Sequence, residues 1–408
     1  MGAGDLELVT TGVVAGGDAL ARDAGGRVVF VQGALPDERV LARVTDVKGD
    51  YSKAVVVEVL VPSEDRVAPP CVALAAGCGG CTWQHVAPEA QVRLKSAIVV
   101  DALRRIGRLA DSPEPVAMDL GAPVLRTTAR LAVSPAGRAG HRRRGAGSAG
   151  GGEVQQAVET DSCLAAHPLL EELLVEGRYR GAKEVFLRVA VASGERIVRV
   201  GAGATVIDVP EDVVVVHHGE RHRAFVHEEV AGRQFRVSAD SFFQASPVVA
   251  AGLVEAVAAA AGDALGPGAH LVDAYAGTGL FGSVLGAASG ARVTAVESGR
   301  SEAADARFNL RDLDARVVTS EVGQWDARAS GRADLVVADP ARPGLGRPGM
   351  AALVATGAPR IALVSCDPAS LARDTVLLSG AGYHLSSLKL VDAFPHTFHV
   401  ETVACFDM

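Results

Sequence analysis

The residues of this chain best suited to chemistry stand near its C-terminus, at the ends of short β-branched runs. Cys366, in Ser365-Cys366-Asp367-Pro368, closes the run RIALVSC. A helix is expected from Ala369 onward, and its N-terminal dipole would stabilise a thiolate there. A lone cysteine is ordinarily a small buried hydrophobe; at a strand end beside Asp-Pro it reads instead as a nucleophile facing a cleft. Asp339, in Asp339-Pro340-Ala341-Arg342-Pro343-Gly344, sets a carboxylate and a rigid, donor-free backbone after DLVVAD. Glu401 opens a terminal strand that then runs apolar, which suits a base at the cleft. His396 and His399, just before it, read as hydrogen-bonded structural residues.

A fourth strand end carries Asp273-Ala274-Tyr275-Ala276-Gly277-Thr278-Gly279-Leu280-Phe281-Gly282. Its glycines allow a tight turn and close approach of a ligand, and Glu297, about 20 residues on, can accept hydrogen bonds from a ribose diol. That pair fits S-adenosylmethionine and fits a dinucleotide, and a purely structural turn uses the same glycines. Far upstream, Cys71, Cys78 and Cys81 form C-x6-C-x2-C, with Cys163 a distant fourth. Four thiolates hold either zinc or a four-iron four-sulfur (4Fe-4S) cluster, and spacing does not separate the two.

These residues need elements to bring them together. From about Ser241 to Met408 the runs HLVDAY, RVTAVE, DLVVAD, RIALVSC and HVETVACF alternate with alanine-rich helical stretches. This spells a doubly wound, Rossmann-like α/β domain over 241–408, whose ligands bind outside the carboxyl ends of the strands. Residues 1–62 read as short strands broken by glycine pairs, a small β-barrel of the oligonucleotide-binding or SH3-like kind. Between them, 63–240 reads as a mixed α+β middle domain holding the cysteines, a helix over Val92–Leu109 and a basic stretch. That stretch, from Leu120 to Gly152, has Arg126, Arg130, Arg138, Arg142, Arg143 and Arg144 and no acid. It reads as one basic face or as a solvated loop, and its Gly-Ala tract at 145–152 as a mobile surface loop.

With 408 residues, 49% of them apolar, the chain has material for two or three buried cores. A net charge of −8 excludes wholesale coating of nucleic acid. No apolar run approaches the roughly 18 residues that span a bilayer, and the start lacks a secretory pattern, so a cytoplasmic location with no membrane partner is expected. Six cysteines are too few for a disulfide-built secreted fold.

Together these residues resemble the RNA uracil-5 methyltransferases, class I enzymes that use S-adenosylmethionine to make 5-methyluridine in tRNA or ribosomal RNA. The stretch GRVVFVQGALPDERV resembles their TRAM domain, an RNA-binding barrel. Cys71, Cys78, Cys81 (followed by Thr-Trp-Gln-His) and Cys163 resemble the ligands of their iron-sulfur cluster; DPARPG, SCDPASLARD and DAFPHTFHVETV resemble their strand-end, nucleophile and closing motifs. The resemblance implies Cys366 as nucleophile toward carbon 6, Glu401 as the base that removes the carbon 5 proton, and Asp339 between cofactor and uracil. It implies Gln244, Tyr275, Gly277, Glu297 and Asp339 as holders of S-adenosylmethionine, and an RNA partner met by a monomer.

The chain departs from the family at Ser246, Ala276, Ala341 and Asp367. Asp367 is expected to raise the Cys366 pKa by its charge, with Arg342 or Arg373 compensating. The rival readings are a diverged member that acts on another acceptor or only binds RNA, and an NAD-dependent oxidoreductase. The latter would leave Cys366 and Glu401 without a task.

Overall fold

Alternation of apolar and polar residues along the first strands builds a closed barrel in this computed structural model, which describes residues 5–144 and 156–408. The Gly-Ala tract at 145–152 lies outside the described residues. Strands β1 (Asp5–Val13), β2 (Ala19–Arg22), β3 (Val28–Gln32), β4 (Arg39–Val47) and β5 (Tyr51–Val61) close in the order β1-β2-β3-β5-β4. Small inward side chains, among them Leu8, Ala21, Val29, Val31, Val40 and Ala42, fill the narrow interior. Gly17, in the β1–β2 turn at φ +84°, is pressed so closely on Phe398 that an added Cβ would lie 2.6 Å from its ring. The barrel therefore docks on the far C-terminal part of the chain.

Helix α1 (Pro88–Arg105) has two apolar faces. Leu94 and Ile98 pack with Leu35 of the barrel and with Trp83, while Val99, Ala102 and Leu103 enter the core beneath the C-terminal sheet. With β6 (Val116–Met118), α1 is built into the C-terminal body although both lie inside the 63–240 stretch. The middle sheet comprises β7 (Thr128–Val133), β8 (Ala139–Arg142), β9 (Ala157–Val158), β11 (Glu184–Val189), β12 (Arg196–Val200) and β14 (Val214–His217), in the order β14-β12-β11-β7-β8-β9. Leu170, Leu173 and Leu174 of α2 (Pro168–Val175) cover one face of it. A ribbon of β10 (Arg178–Arg180) and β13 (Val206–Asp208) flanks it, and a hairpin of β15 (Phe225–Val230) and β16 (Arg233–Ser238) leads onward.

The C-terminal body follows as α3 (Pro247–Ala261), β17 (His270–Ala274), α4 (Leu280–Ser289), β18 (Arg292–Glu297), α5 (Arg300–Asn309), β19 (Ala315–Thr319), β20 (Leu335–Ala338), α6 (Gly346–Ala355), β21 (Arg360–Ser365), α7 (Pro368–Gly380), β22 (His384–Val391) and β23 (Glu401–Asp407). Its eight strands run β19-β18-β17-β20-β21-β23-β22-β6, with α3, α4 and α5 in one core and α1, α6 and α7 in the other. Only β23 runs antiparallel to its neighbours. That reversal brings the start of β23, Glu401, to the edge where the parallel strands end.

Three strands of this sheet, β6, β19 and β22, escape a reading by apolar runs. β19 is a partly exposed edge, and β22 has exposed serines at a bulge between Leu385 and Ser387. Among the described residues no helix is long and apolar enough to cross a membrane.

Candidate active site

A cleft of about 670 Å³ opens at the carboxyl ends of β17, β18, β20 and β21. It gathers Gln244, Tyr275, Gly277, Glu297, Asp339, Cys366 and Glu401, all nominated from the sequence, and also Arg126, Phe242, Arg342, Phe394 and His399. It lies at the reversal of strand order between β17 and β20, where open α/β sheets place their ligands.

On one side the glycine turn is tied to β18. The two Glu297 oxygens accept from the Gly277 N–H at 2.8 Å and the Gly299 N–H at 2.6 Å. Oε1 also accepts from the Ser298 hydroxyl at 3.4 Å, and Oε2 keeps a further lone pair for a ribose hydroxyl. Tyr275 takes a left-handed conformation, φ +60°, and its hydroxyl fits against Gly349, where an added Cβ would stand 2.4 Å away. Beneath the turn, the fully buried Asp273 accepts from the Gly282 N–H at 2.7 Å while its Oδ1 has no partner, and burial raises its carboxyl to about 8. The segment leading to Gln244 is tied to α5 through Asp305, which accepts from Ser241 at 2.6 Å and from Arg236 at 2.8 Å.

On the other side three reactive groups converge. Ser365 pairs with Thr402 in the β21–β23 ladder, so the next positions, Cys366 and Glu401, face each other at the strand ends. Burial raises the Asp339 carboxyl to about 7, and the Gln244 amide donates to it at 3.3 Å. Glu401, 5% exposed, is raised well above the usual carboxylate range by burial and by the charge of Asp339. Two such carboxyls titrate as a unit, which holds protons into the neutral range. Burial, then the charges of Glu401 and Asp339, push the Cys366 thiol up to about 11, against the pull of Arg342.

This corrects the expected electrostatics of the nucleophile. The α7 dipole does not leave Cys366 a ready thiolate in the open cleft, and the opposing carboxylates are Glu401 and Asp339. The Asp367 carboxylate caps α7, accepting from the Ser370 N–H at 2.7 Å. Arg342 is the compensating cation; Arg373 donates to the Ser370 hydroxyl at 2.7 Å.

The loop from Asp392 to Val400 is hung from the cysteine segment. The buried Lys95 ammonium donates to Asp392 at 2.6 Å and to the Phe394 carbonyl at 2.9 Å. His396, at φ +62°, accepts at its carbonyl from the Thr82 and Trp83 N–H groups at 2.9 and 2.8 Å, and its own N–H donates to Gln91 at 2.6 Å. His396 thus has the structural role expected of it, whereas His399 lines the cleft.

Cys71, Cys78, Cys81 and Cys163 come to one corner, where burial raises the Cys78 and Cys163 thiols and the charges of the other cysteines add to it. Among the described residues no three Cys, His, Asp or Glu side chains converge closely enough for a single metal ion. The basic stretch is divided as well. Arg143 and Arg144 donate to the Ala76 and Cys81 carbonyls of the cysteine loop, Arg138 pairs with Asp161 at 2.7 Å, and Arg130 and Arg142 share Glu184.

The TRAM domain family matches residues 10–57, within the barrel. Over 440 residues the chain is 37% identical to an uncharacterized RNA methyltransferase of Streptomyces avermitilis, covering 99% of this chain and 98% of that one. Another from Streptomyces coelicolor is also 37% identical, with 99% and 93% covered. The chain belongs to the RNA methyltransferases with a TRAM domain. In fold, the methyltransferase is similar to the tRNA (uracil-54, C5)-methyltransferase of Pyrococcus abyssi, solved with S-adenosyl-L-homocysteine, with a TM-score of 0.71, 21% identity and 98% and 99% of the chains covered.

Sequence reasoning missed several cleft residues of this methyltransferase. Arg126 carries no local signal, because it reaches the cleft from the segment before β7 and differs in nothing from its basic neighbours until the chain folds. Phe242 stands two residues before Gln244 in Ser-Phe-Phe-Gln and is 65% exposed, and that adjacency was the available clue.

Proposed function

We propose that this methyltransferase moves the methyl group of S-adenosylmethionine to carbon 5 of a uridine in tRNA or ribosomal RNA, through a Cys366 adduct at carbon 6. The observation that carries this reading is the meeting of Cys366 and Glu401 across the strand ends of one cleft, beside Asp339. Carbon 5 of uracil is too weak a nucleophile to attack a methyl sulfonium directly. With the thiol proton lost to solvent through the open cleft, addition of the Cys366 thiolate to carbon 6 makes carbon 5 enolate-like. Carbon 5 then takes the methyl, and the sulfonium–methyl electron pair stays on sulfur as S-adenosylhomocysteine. Glu401, in its ionised form, removes the carbon 5 proton, and the freed pair expels the cysteine.

Gln244, Tyr275, Gly277 and Glu297 hold the cofactor, with Asp339 between its sulfonium and the uracil. The cofactor's positive charge offsets Asp339 and joins Arg342 in favouring the thiolate. A stacked base does not reach Cys366, so the target is flipped out or presented from an unpaired loop. The barrel supplies RNA affinity, and the chain works as a monomer in the cytoplasm.

We assign Cys71, Cys78, Cys81 and Cys163 to a 4Fe-4S cluster, with zinc as the alternative. One feature supports a shared site: Cys71, Cys78 and Cys81 lie close enough to Cys163 for their charges to raise its thiol, with Cys78 and Cys81 buried and the other two half-buried. Bound there, it would pin the loop that carries Thr82 and Trp83; methyl transfer needs no redox step.

Nucleoside mass spectrometry of tRNA and ribosomal RNA from cells with and without the gene tests the reaction. Loss of 5-methyluridine from one pool is expected. Unchanged pools, with no Cys366-dependent adduct on RNA carrying 5-fluorouridine, would overturn the proposal.

A further inference from the structure

The cleft is crowded with acids that are already engaged. Glu297 accepts from two backbone N–H groups, Glu302 from the Phe242 N–H at 3.2 Å, and Asp339 from Gln244. Among its described lining residues the only lysines or arginines are Arg126 and Arg342. Neither guanidinium forms a hydrogen bond or an ion pair with any described residue, in contrast to Arg130, Arg138, Arg143 and Arg144 of the same basic stretch.

Both are rigidly mounted. The Arg126 N–H donates to the Ala165 carbonyl at 2.8 Å, its carbonyl accepts from His167 at 2.9 Å, and the next N–H, of Thr127, donates to Ala245 beside Gln244 at 2.7 Å. The Arg342 carbonyl accepts from the Ser370 hydroxyl at 2.6 Å. Their charges meet at His399, which burial and these two arginines hold uncharged, with a pKa of about 4. The arrangement is thus two fixed backbones with open forks, one entering beside the middle sheet and one after β20, around the same stretch of rim.

A uridine whose base reaches Cys366 brings its flanking phosphates to that rim. Phosphate entering an acid-lined cleft of an acidic protein needs local cations, and the planar fork of arginine suits a phosphate in two-point contact. We infer that Arg126 and Arg342 are a phosphate clamp that takes the two phosphates flanking the target uridine. The inference rests on the proposed RNA substrate, and it makes the segment before β7 a direct part of the substrate site.

The test is the salt dependence of full-length chain binding to a single-stranded oligouridylate, measured by filter binding. Each phosphate contact contributes about 0.7 to the slope of log affinity against log salt for a single strand. Arg126→Ala and Arg342→Ala are each expected to lower the slope by about that amount and the affinity by roughly 5–20-fold at low salt. Arg126→Lys and Arg342→Lys should keep the slope while losing part of the affinity. Arg104→Ala, on the exposed side of α1, should change neither.

Unchanged S-adenosylhomocysteine affinity in each variant shows that the fold and cofactor side are intact. Slopes equal to that of the unaltered chain in both alanine variants overturn the clamp, whether or not a 5-fluorouridine adduct forms. Falling slopes without any adduct support the clamp and overturn the uracil chemistry instead.

Discussion

Cys366 and Glu401 occupy facing positions one step beyond the Ser365–Thr402 pair of the β21–β23 ladder. The register thereby fixes the proposed nucleophile and base on opposite strands, and the antiparallel course of β23 is what makes this possible. On the proposed chemistry, Glu401→Gln removes the base while leaving addition and methyl transfer open. Turnover should fall by at least 100-fold, and the methylated adduct should accumulate as a covalent RNA–protein band with unmodified RNA. Loss of turnover with no such band would show that Glu401 acts before methyl transfer.

The same neighbours set the ionisation of the thiol. In the open cleft Cys366 has a pKa of about 11, from burial and from the charges of Glu401 and Asp339. Its alkylation by iodoacetamide, followed at this residue by peptide mass spectrometry, should rise with pH toward that value, since the thiolate is the reacting form. Asp339→Asn removes one of the opposing charges and should shift the profile to lower pH. Asp367→Asn should leave it in place, because Asn caps α7 equally well.

Much of this site was legible because its residues lie in contiguous strand-end motifs. Asp339 and Cys366 sit where a buried run stops and Glu401 where one begins, and a doubly wound sheet with a reversed last strand brings such positions to one edge. Contacts made only by tertiary packing were not legible. Arg126 and Arg143 look alike in sequence, yet one enters the cleft and the other binds the Ala76 carbonyl. Asp367 was read for its charge, whereas its position as helix cap decides its direction. The helix α1 showed its apolar spacing but not that its two faces serve two bodies. The register of β21 with β23 depends on a strand inserted out of sequence order, which no local pattern reveals.

Burial of Asp273 has a consequence for stability. Its carboxyl is raised to about 8, so between the unfolded value near 3.8 and about 8 the folded state binds more protons than the unfolded one. Stability from this group is fully present below the lower pH and is lost as pH rises through the upper one. Asp339, raised to about 7, acts in the same direction. The ligand-free chain should therefore show a melting temperature that declines from pH 5 toward pH 8 through these groups, measured by differential scanning calorimetry. Asp273→Asn still accepts from the Gly282 N–H and should flatten the decline; an unchanged profile would place the pH dependence elsewhere.

Lys95 tests whether the loop leading to Glu401 is held from α1. Its ammonium is buried, and burial lowers its pKa against the pull of Asp392. Lys95→Met keeps the apolar stem but leaves Asp392 and the Phe394 carbonyl without their donor. The side chain of Asp392 is 24% exposed and regains some water, so the cost should be about 2–3 kcal/mol, below that of a fully buried broken pair. Because His399 lies on this loop and Glu401 directly follows it, turnover should drop by more than tenfold, while S-adenosylhomocysteine, proposed to bind at Glu297 and the glycine turn on the other side of the cleft, should bind as before. Calorimetric titration beside single-turnover kinetics separates the two. Equal losses of cofactor affinity and turnover would mean that Lys95 supports the whole sheet rather than this loop.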